Sequence, residues 1–122
     1  THAHELDTPG KNSWRLKKAG AEVTAMVTPK EIAEYRPVTT PIKISDFINL
    51  YREFDVVLTE GISQDNYPTV EILRKDVNII PSNEIINRVA TVSDTPVETN
   101  SKMFSFDQLD NLAEFLIEEF IN

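Results

Sequence analysis

A chain of 122 residues is long enough for one compact domain with a real core and too short for two domains of ordinary size. Its 40% hydrophobic and 26% charged residues exclude wholesale disorder, and a formal net charge of -8 argues against nonspecific binding to nucleic acid, which needs a concentrated cationic surface. No apolar run approaches the roughly 18 residues needed to span a bilayer, and with no cysteine there is neither a disulfide framework nor thiolate chemistry, so a cytoplasmic protein without a membrane role fits these bounds.

Taken in chain order, the opening THAHELDTPGKN reads as a strand end running into a loop. Asn12 or Ser13 caps a short helix whose last turn carries Lys17 and Lys18, and Gly20 supplies the left-handed residue that closes it. Ala21 to Val27 reads as a strand, whereas prolines at 29, 37 and 41 leave only short β-like pieces between Thr28 and Thr40. Ser45 and Asp46 start a helix that runs to about Glu53, with Phe47, Ile48 and Tyr51 on its apolar side.

Asp55 to Thr59 follows as DVVLT. Three consecutive apolar residues without alternation are what a strand buried on both faces of a parallel sheet shows. Pro68 to Arg74 alternates, with Val70 and Ile72 on one face and Thr69 and Glu71 on the other, as a strand near a sheet edge would. Arg88 to Ser93 is a further strand, ended by the Asp94-Thr95-Pro96 turn. Ser105 and Gln108 form a capping box, and Phe104 staples onto Leu109. The closing helix then uses Leu109, Leu112, Ala113, Leu116, Ile117 and Phe120 as its apolar stripe, and Asp110, Glu114 and Glu118 face water. Strands alternating with helices predict a single α/β domain over residues 1–122, its mostly parallel sheet flanked by helices.

Ligands of open α/β sheets gather at the carboxyl ends of the strands, and Glu60 and Gly61 sit there on the most apolar strand. A carboxylate at that point can hold hydrated Mg²⁺ or position a water, as the Walker-B acid of a nucleotide site does, and a glycine lets backbone approach a phosphate. The same pair also marks an ordinary turn. His2 and His4 would project to one side of an extended segment, either as a two-ligand metal edge or as solvated loop residues. Asp7 either caps its own loop or shares a magnesium with Glu60. Lys11 lies in no phosphate-loop frame, yet it can meet an anion at the start of the following helix. Trp14 and the four phenylalanines from 104 to 120 read as core, and Ser13 has no histidine placed for a triad.

These blocks together resemble the molybdopterin-guanine dinucleotide biosynthesis adaptor (MobB) family. Its histidine-rich stretch leading to D-x-P-G-K-D-S and A-G-A is matched by His2, His4, Asp7, Pro9, Gly10, Lys11, Asn12, Ser13 and Ala19-Gly20-Ala21. Its D-hydrophobic₃-x-E-G block is matched by Asp55 through Gly61, its P-x-hydrophobic-E-hydrophobic-x-R block by Pro68, Val70, Glu71, Ile72 and Arg74, and its S-D-x-P by Ser93, Asp94 and Pro96. The resemblance implies a P-loop NTPase-like fold and a GTP-binding accessory protein that assists a separate guanylyltransferase in molybdenum cofactor biosynthesis. It further implies a homodimer that is at most a slow Mg²⁺-dependent GTPase.

On that resemblance Glu60 is the catalytic acid, Glu60 and Asp7 lie near the magnesium, and Gly61, Lys11 and Arg15 meet the nucleotide, with Asp55 supporting the strand. Asn12 departs from the family's aspartate, Ile62-Ser63 from its Phe-Lys, and no Walker A motif occurs. The chain therefore reads as the C-terminal part of a P-loop GTP-binding domain lacking its first strand, phosphate loop and first helix. That loss would leave the edge of Val56 to Leu58 unpaired. Two rival readings are a degenerate adaptor with no nucleotide role and a different P-loop enzyme, such as a ligase or small kinase. No base-reading residue follows a recognisable motif, so GTP and ATP are not distinguished.

Overall fold

A computed structural model describes residues 5–38, 40–61 and 66–121. His2, His4, Ile62 and Ser63 lie outside the described residues. The chain divides into two compact units, Thr1–Phe47 and Ile48–Asn122.

The first unit holds helix α1 (Asn12–Lys18) and an antiparallel pair, β1 (Thr24–Val27) and β2 (Ile32–Tyr35), in register from Thr24↔Tyr35 to Val27↔Ile32. Lys11, not the expected Asn12 or Ser13, is the helix N-cap; both of those residues lie inside α1, and the Ser13 hydroxyl turns to Asp7 instead. Arg15, Lys17 and Lys18 crowd the last turn, where the negative end of the helix dipole favours them. Gly20 takes φ +103°, a conformation open to glycine at no steric cost. The hairpin loop is tied by Thr28, whose N–H donates to the Glu31 carbonyl at 2.9 Å and whose hydroxyl accepts from Glu31 N–H at 3.0 Å. The prolines around this segment do not prevent β2, because Pro29 sits in the turn and Pro37 beyond the strand. Helix α2 (Ile44–Asn49) spans the division between units and stops earlier than the apolar spacing predicts.

The second unit is built on a fully parallel sheet of β3 (Thr69–Leu73), β4 (Arg88–Ser93) and β5 (Lys102–Phe104), in the order β3-β4-β5, followed by helix α3 (Leu109–Phe120). β4 is central, and its four residues from Ala90 to Ser93 are all buried. One face supplies the core, Ala90 and Val92 with Phe104, against which Val70, Phe106, Leu112 and Phe115 pack. On the other face the buried Thr91 hydroxyl lies 2.7 Å from that of Ser101, which lies 3.0 Å from that of Thr99. These hydroxyls satisfy one another's hydrogen bonding within the buried face.

Several sequence expectations are corrected here. Asp55 to Thr59 forms no strand. Among the described residues no segment pairs with it, and Val56 (45%) and Leu58 (88%) are exposed. An apolar run becomes a buried strand only where a neighbour accepts its backbone hydrogen bonds, and β3 forms the sheet edge without one. β3 is an edge strand as its alternation predicts, but burial does not follow the alternation: Val70 packs on the core while Ile72 on the same face is 62% exposed, and Glu71 and Leu73 on the opposite face are both buried, Glu71 against Arg88. On α3 the face toward the sheet is Leu112, Phe115 and Leu116, whereas Leu109, Ile117 and Phe120 remain exposed. Phe104 does not staple onto Leu109. It belongs to β5, where its ring meets Phe115 at 5.8 Å between centroids. Half of the capping box forms, with the Ser105 N–H donating to Gln108 Oε1 at 3.0 Å.

Candidate functional site

In the first unit, the turn before α1 buries a carboxylate. Asp7 is only 3% exposed, and its Oδ1 accepts the Ser13 hydroxyl at 2.9 Å, while Oδ2 is buried with no partner among the described residues. The approach is fixed by a tight turn in which Lys11 N–H donates to the Thr8 carbonyl at 3.2 Å and Gly10 takes φ +85°. A buried carboxylate oxygen without a donor is costly unless a proton donor or a cation completes it. The Ser13 hydroxyl thus satisfies one of the two Asp7 carboxylate oxygens.

Lys11 and Arg15 stand one helical turn apart and are exposed. Neither side chain makes a hydrogen bond or ion pair among the described residues, whereas the neighbouring lysines are occupied. Lys17 Nζ lies 3.1 Å from Glu5 Oε1, and Lys18 Nζ stands over the Trp14 ring at 5.3 Å. The Glu5 carboxyl is held below its ordinary value, chiefly by its contact with Lys17. Of the four cations from Lys11 to Lys18, Lys11 and Arg15 are thus the two without an internal partner among the described residues.

Glu60 and Gly61 belong to the second unit. Glu60 is exposed, without a hydrogen bond or ion pair among the described residues, and Gly61 takes φ +77° with open space where a Cβ would sit. Asp55 is exposed as well. The structure thus brings Asp7 together with Ser13 and places Lys11 and Arg15 on the following helix, while Glu60 and Gly61 sit in an irregular segment of the other unit. No group of three or more metal-ligating side chains occurs among the described residues. A single carboxylate still suffices for Mg²⁺, which keeps several waters and takes the rest of its ligands from substrate phosphates. The orphaned Asp7 oxygen fits that donor requirement.

Sequence reasoning missed a cleft at the carboxyl ends of the parallel strands. A shallow depression, largely open to solvent, lies there beside the Ser93-Asp94-Thr95-Pro96 turn, lined also by Met103 and Phe104. A second cavity of about 360 Å³ lies between β5 and α3, where Lys102 Nζ stands 4.4 Å from the Phe115 ring centroid.

The family model for molybdopterin guanine dinucleotide synthesis protein B matches residues 1–94, from the opening histidine stretch through the Asp94 turn. The chain belongs to the MobB family. Two relatives are similar over nearly all of it. The molybdopterin-guanine dinucleotide biosynthesis adapter protein of Escherichia coli (strain K12) is 24% identical over 127 residues, covering 96% of this chain and 70% of the relative. The protein of the same name from Haemophilus influenzae is 25% identical over 118 residues, covering 94% of this chain and 66% of the relative. The MobB match takes in α1, the hairpin and the strands β3 and β4, and ends at Asp94, before β5 and α3.

Proposed function

We propose that this chain acts as an adapter in molybdopterin guanine dinucleotide biosynthesis, binding GTP with Mg²⁺ to assist a separate guanylyltransferase. The family match across residues 1–94 carries the reading. The names of both relatives point the same way. The buried Asp7 with its unpartnered oxygen supports the metal part, as the group that would hold Mg²⁺. When bound, that ion would neutralise charge between the nucleotide phosphates. Lys11 and Arg15, free of internal partners, would meet phosphate oxygens, and Gly61 would allow close backbone approach. Glu60 would orient a water for slow hydrolysis, and the working unit would be a cytoplasmic homodimer.

The exposure of Phe54, Val56 and Leu58 favours a second reading, an interaction module of the same family with no nucleotide role. Calorimetric titration of the native polypeptide with GTP and Mg²⁺ separates the two. Saturable binding that weakens at least tenfold in Asp7→Asn supports the first. Heat-silent titration with intact cofactor delivery supports the second. Glu60→Gln then assigns turnover: a Mg²⁺-dependent GTPase rate unaltered by this change removes Glu60 from the catalytic role.

A further inference from the structure

The serine at the start of α1 turns its hydroxyl away from the helix. A serine at a helix start is favoured because its oxygen can accept a backbone N–H of the first turn. Here α1 has no side-chain cap, and Ser13, only 5% exposed, donates its hydroxyl to Asp7 Oδ1 at 2.9 Å. A hydroxyl has one proton to give, and this one goes to the carboxylate. The two oxygens of Asp7 are thereby made unequal: Oδ1 is engaged, whereas Oδ2 is buried and has no partner among the described residues. Both ends of the contact are held in place. Gly10 at φ +85° and the Lys11 N–H on the Thr8 carbonyl shape the turn between Asp7 and α1, and Ser13 belongs to the helix itself. The carboxylate cannot swing about its last torsion without breaking the Ser13 bond.

We infer that Ser13 is a positioning residue that makes Asp7 a one-oxygen ligand and thereby sets a preference for Mg²⁺ over Ca²⁺. The inference rests on the Mg²⁺–nucleotide reading above and adds to it the residue that governs which ion is taken. Mg²⁺ demands near-ideal octahedral geometry and keeps several waters, a requirement that one carboxylate oxygen meets. Ca²⁺ takes about six to eight oxygens and readily accepts both oxygens of one carboxylate. Chelation of that kind competes with the Ser13 bond, because it draws on the same Oδ1. Among the described residues no other side chain hydrogen-bonds Asp7, so the choice between the two modes falls to Ser13. Outer partners of this sort commonly fix how a ligating group faces its ion.

Trp14, the only tryptophan in the chain, follows Ser13 directly and reports on this turn. Titration of the native polypeptide with GTP–Mg²⁺ and with GTP–Ca²⁺, followed by calorimetry and by Trp14 emission, gives an affinity for each form. Wild type should prefer the Mg²⁺ form. Ser13→Ala should bind GTP–Mg²⁺ about 10- to 100-fold more weakly, the scale of losing an outer partner. Its affinity for GTP–Ca²⁺ should stay level or rise, which also shows that the variant is folded. Ser13→Thr, which keeps the hydroxyl, should keep the preference. An unchanged preference in Ser13→Ala, or an equal loss of both forms, overturns the inference, because the hydroxyl would then only tie the helix to its turn. Wild type that binds both forms alike overturns it as well, and each of these results leaves the nucleotide reading standing. Wild type that binds neither form overturns both.

Discussion

The Glu71–Arg88 pair offers the sharpest test of how the parallel sheet is held. Glu71 on β3 and Arg88 at the start of β4 have side chains only 8% and 13% exposed, with Arg88 Nε 2.7 Å from Glu71 Oε2. The approach is ionic rather than a well-aligned hydrogen bond. Both groups are also tied to the connection between the strands, since Glu71 Oε1 accepts the Ser82 N–H at 2.8 Å and Arg88 donates to the Ser82 carbonyl. Removing one partner strands a buried charge, which costs about 3–5 kcal/mol. Glu71→Ala should therefore remove a large share of a total stability of about 5–15 kcal/mol. At an m-value of about 2 kcal/mol/M the urea midpoint should fall by about 1.5–2.5 M. The double variant Glu71→Met/Arg88→Leu, which removes both charges and keeps apolar volume, should recover most of the loss. Urea denaturation of wild type and both variants of the native polypeptide, followed by circular dichroism, reads these shifts. A Glu71→Ala midpoint within about 0.3 M of wild type, an order-of-magnitude bound from the same slope, would show that the pair is solvated and that the burial argument fails.

Phe104→Ala should cost about 3–5 kcal/mol by opening a void between Val92 and Phe115, seen as a lowered thermal midpoint, whereas Leu109→Ala, an exposed site, should stay within about 0.5 kcal/mol of wild type. The Glu5 carboxyl should titrate below its ordinary value in an NMR pH series and move back toward it in Lys17→Met, since the Lys17 contact is the main cause of the shift. A depressed folded pKa means that this contact contributes above the ordinary carboxylate range and is lost as pH falls through the folded value. The wild-type and Lys17→Met stability curves should therefore converge in acid. Curves that stay parallel to low pH would remove the linkage.

The sequence made α1, its Gly20 stop, the strand at Arg88 and the last helix legible, because each carries a local signal of capping, a φ-permissive residue or periodicity. It also placed β3 at an edge. It could not show which face of β3 is buried, since alternation identifies two faces and a partner chooses between them. Here both faces are used: Val70 packs on the apolar core, and Glu71 on the opposite face is buried against Arg88. The apolar run from Val56 to Leu58 signalled a need for cover without saying what supplies it, and β5, three residues long, is too short to announce itself. Among the candidate site residues, Asp7 and Lys11 stood out from the turn and the helix start, whereas Arg15 entered only through the family resemblance. Asp94 was legible as the turn that ends β4, but its bond to the Lys75 N–H was not, because that partner lies nineteen positions earlier in the chain.

A sheet whose neighbours all run the same way cannot be zipped up from a hairpin. β4 finds its second neighbour only after residues 94–101 have looped back, and the aromatic lid of Val92 comes from Phe104 and Phe115. During synthesis on the ribosome the central strand must therefore wait, with one flank bare, until residue 115 has cleared the exit tunnel. Nascent chains halted before that point should be the species that chaperones hold and proteases cut, whatever the stability of the finished molecule.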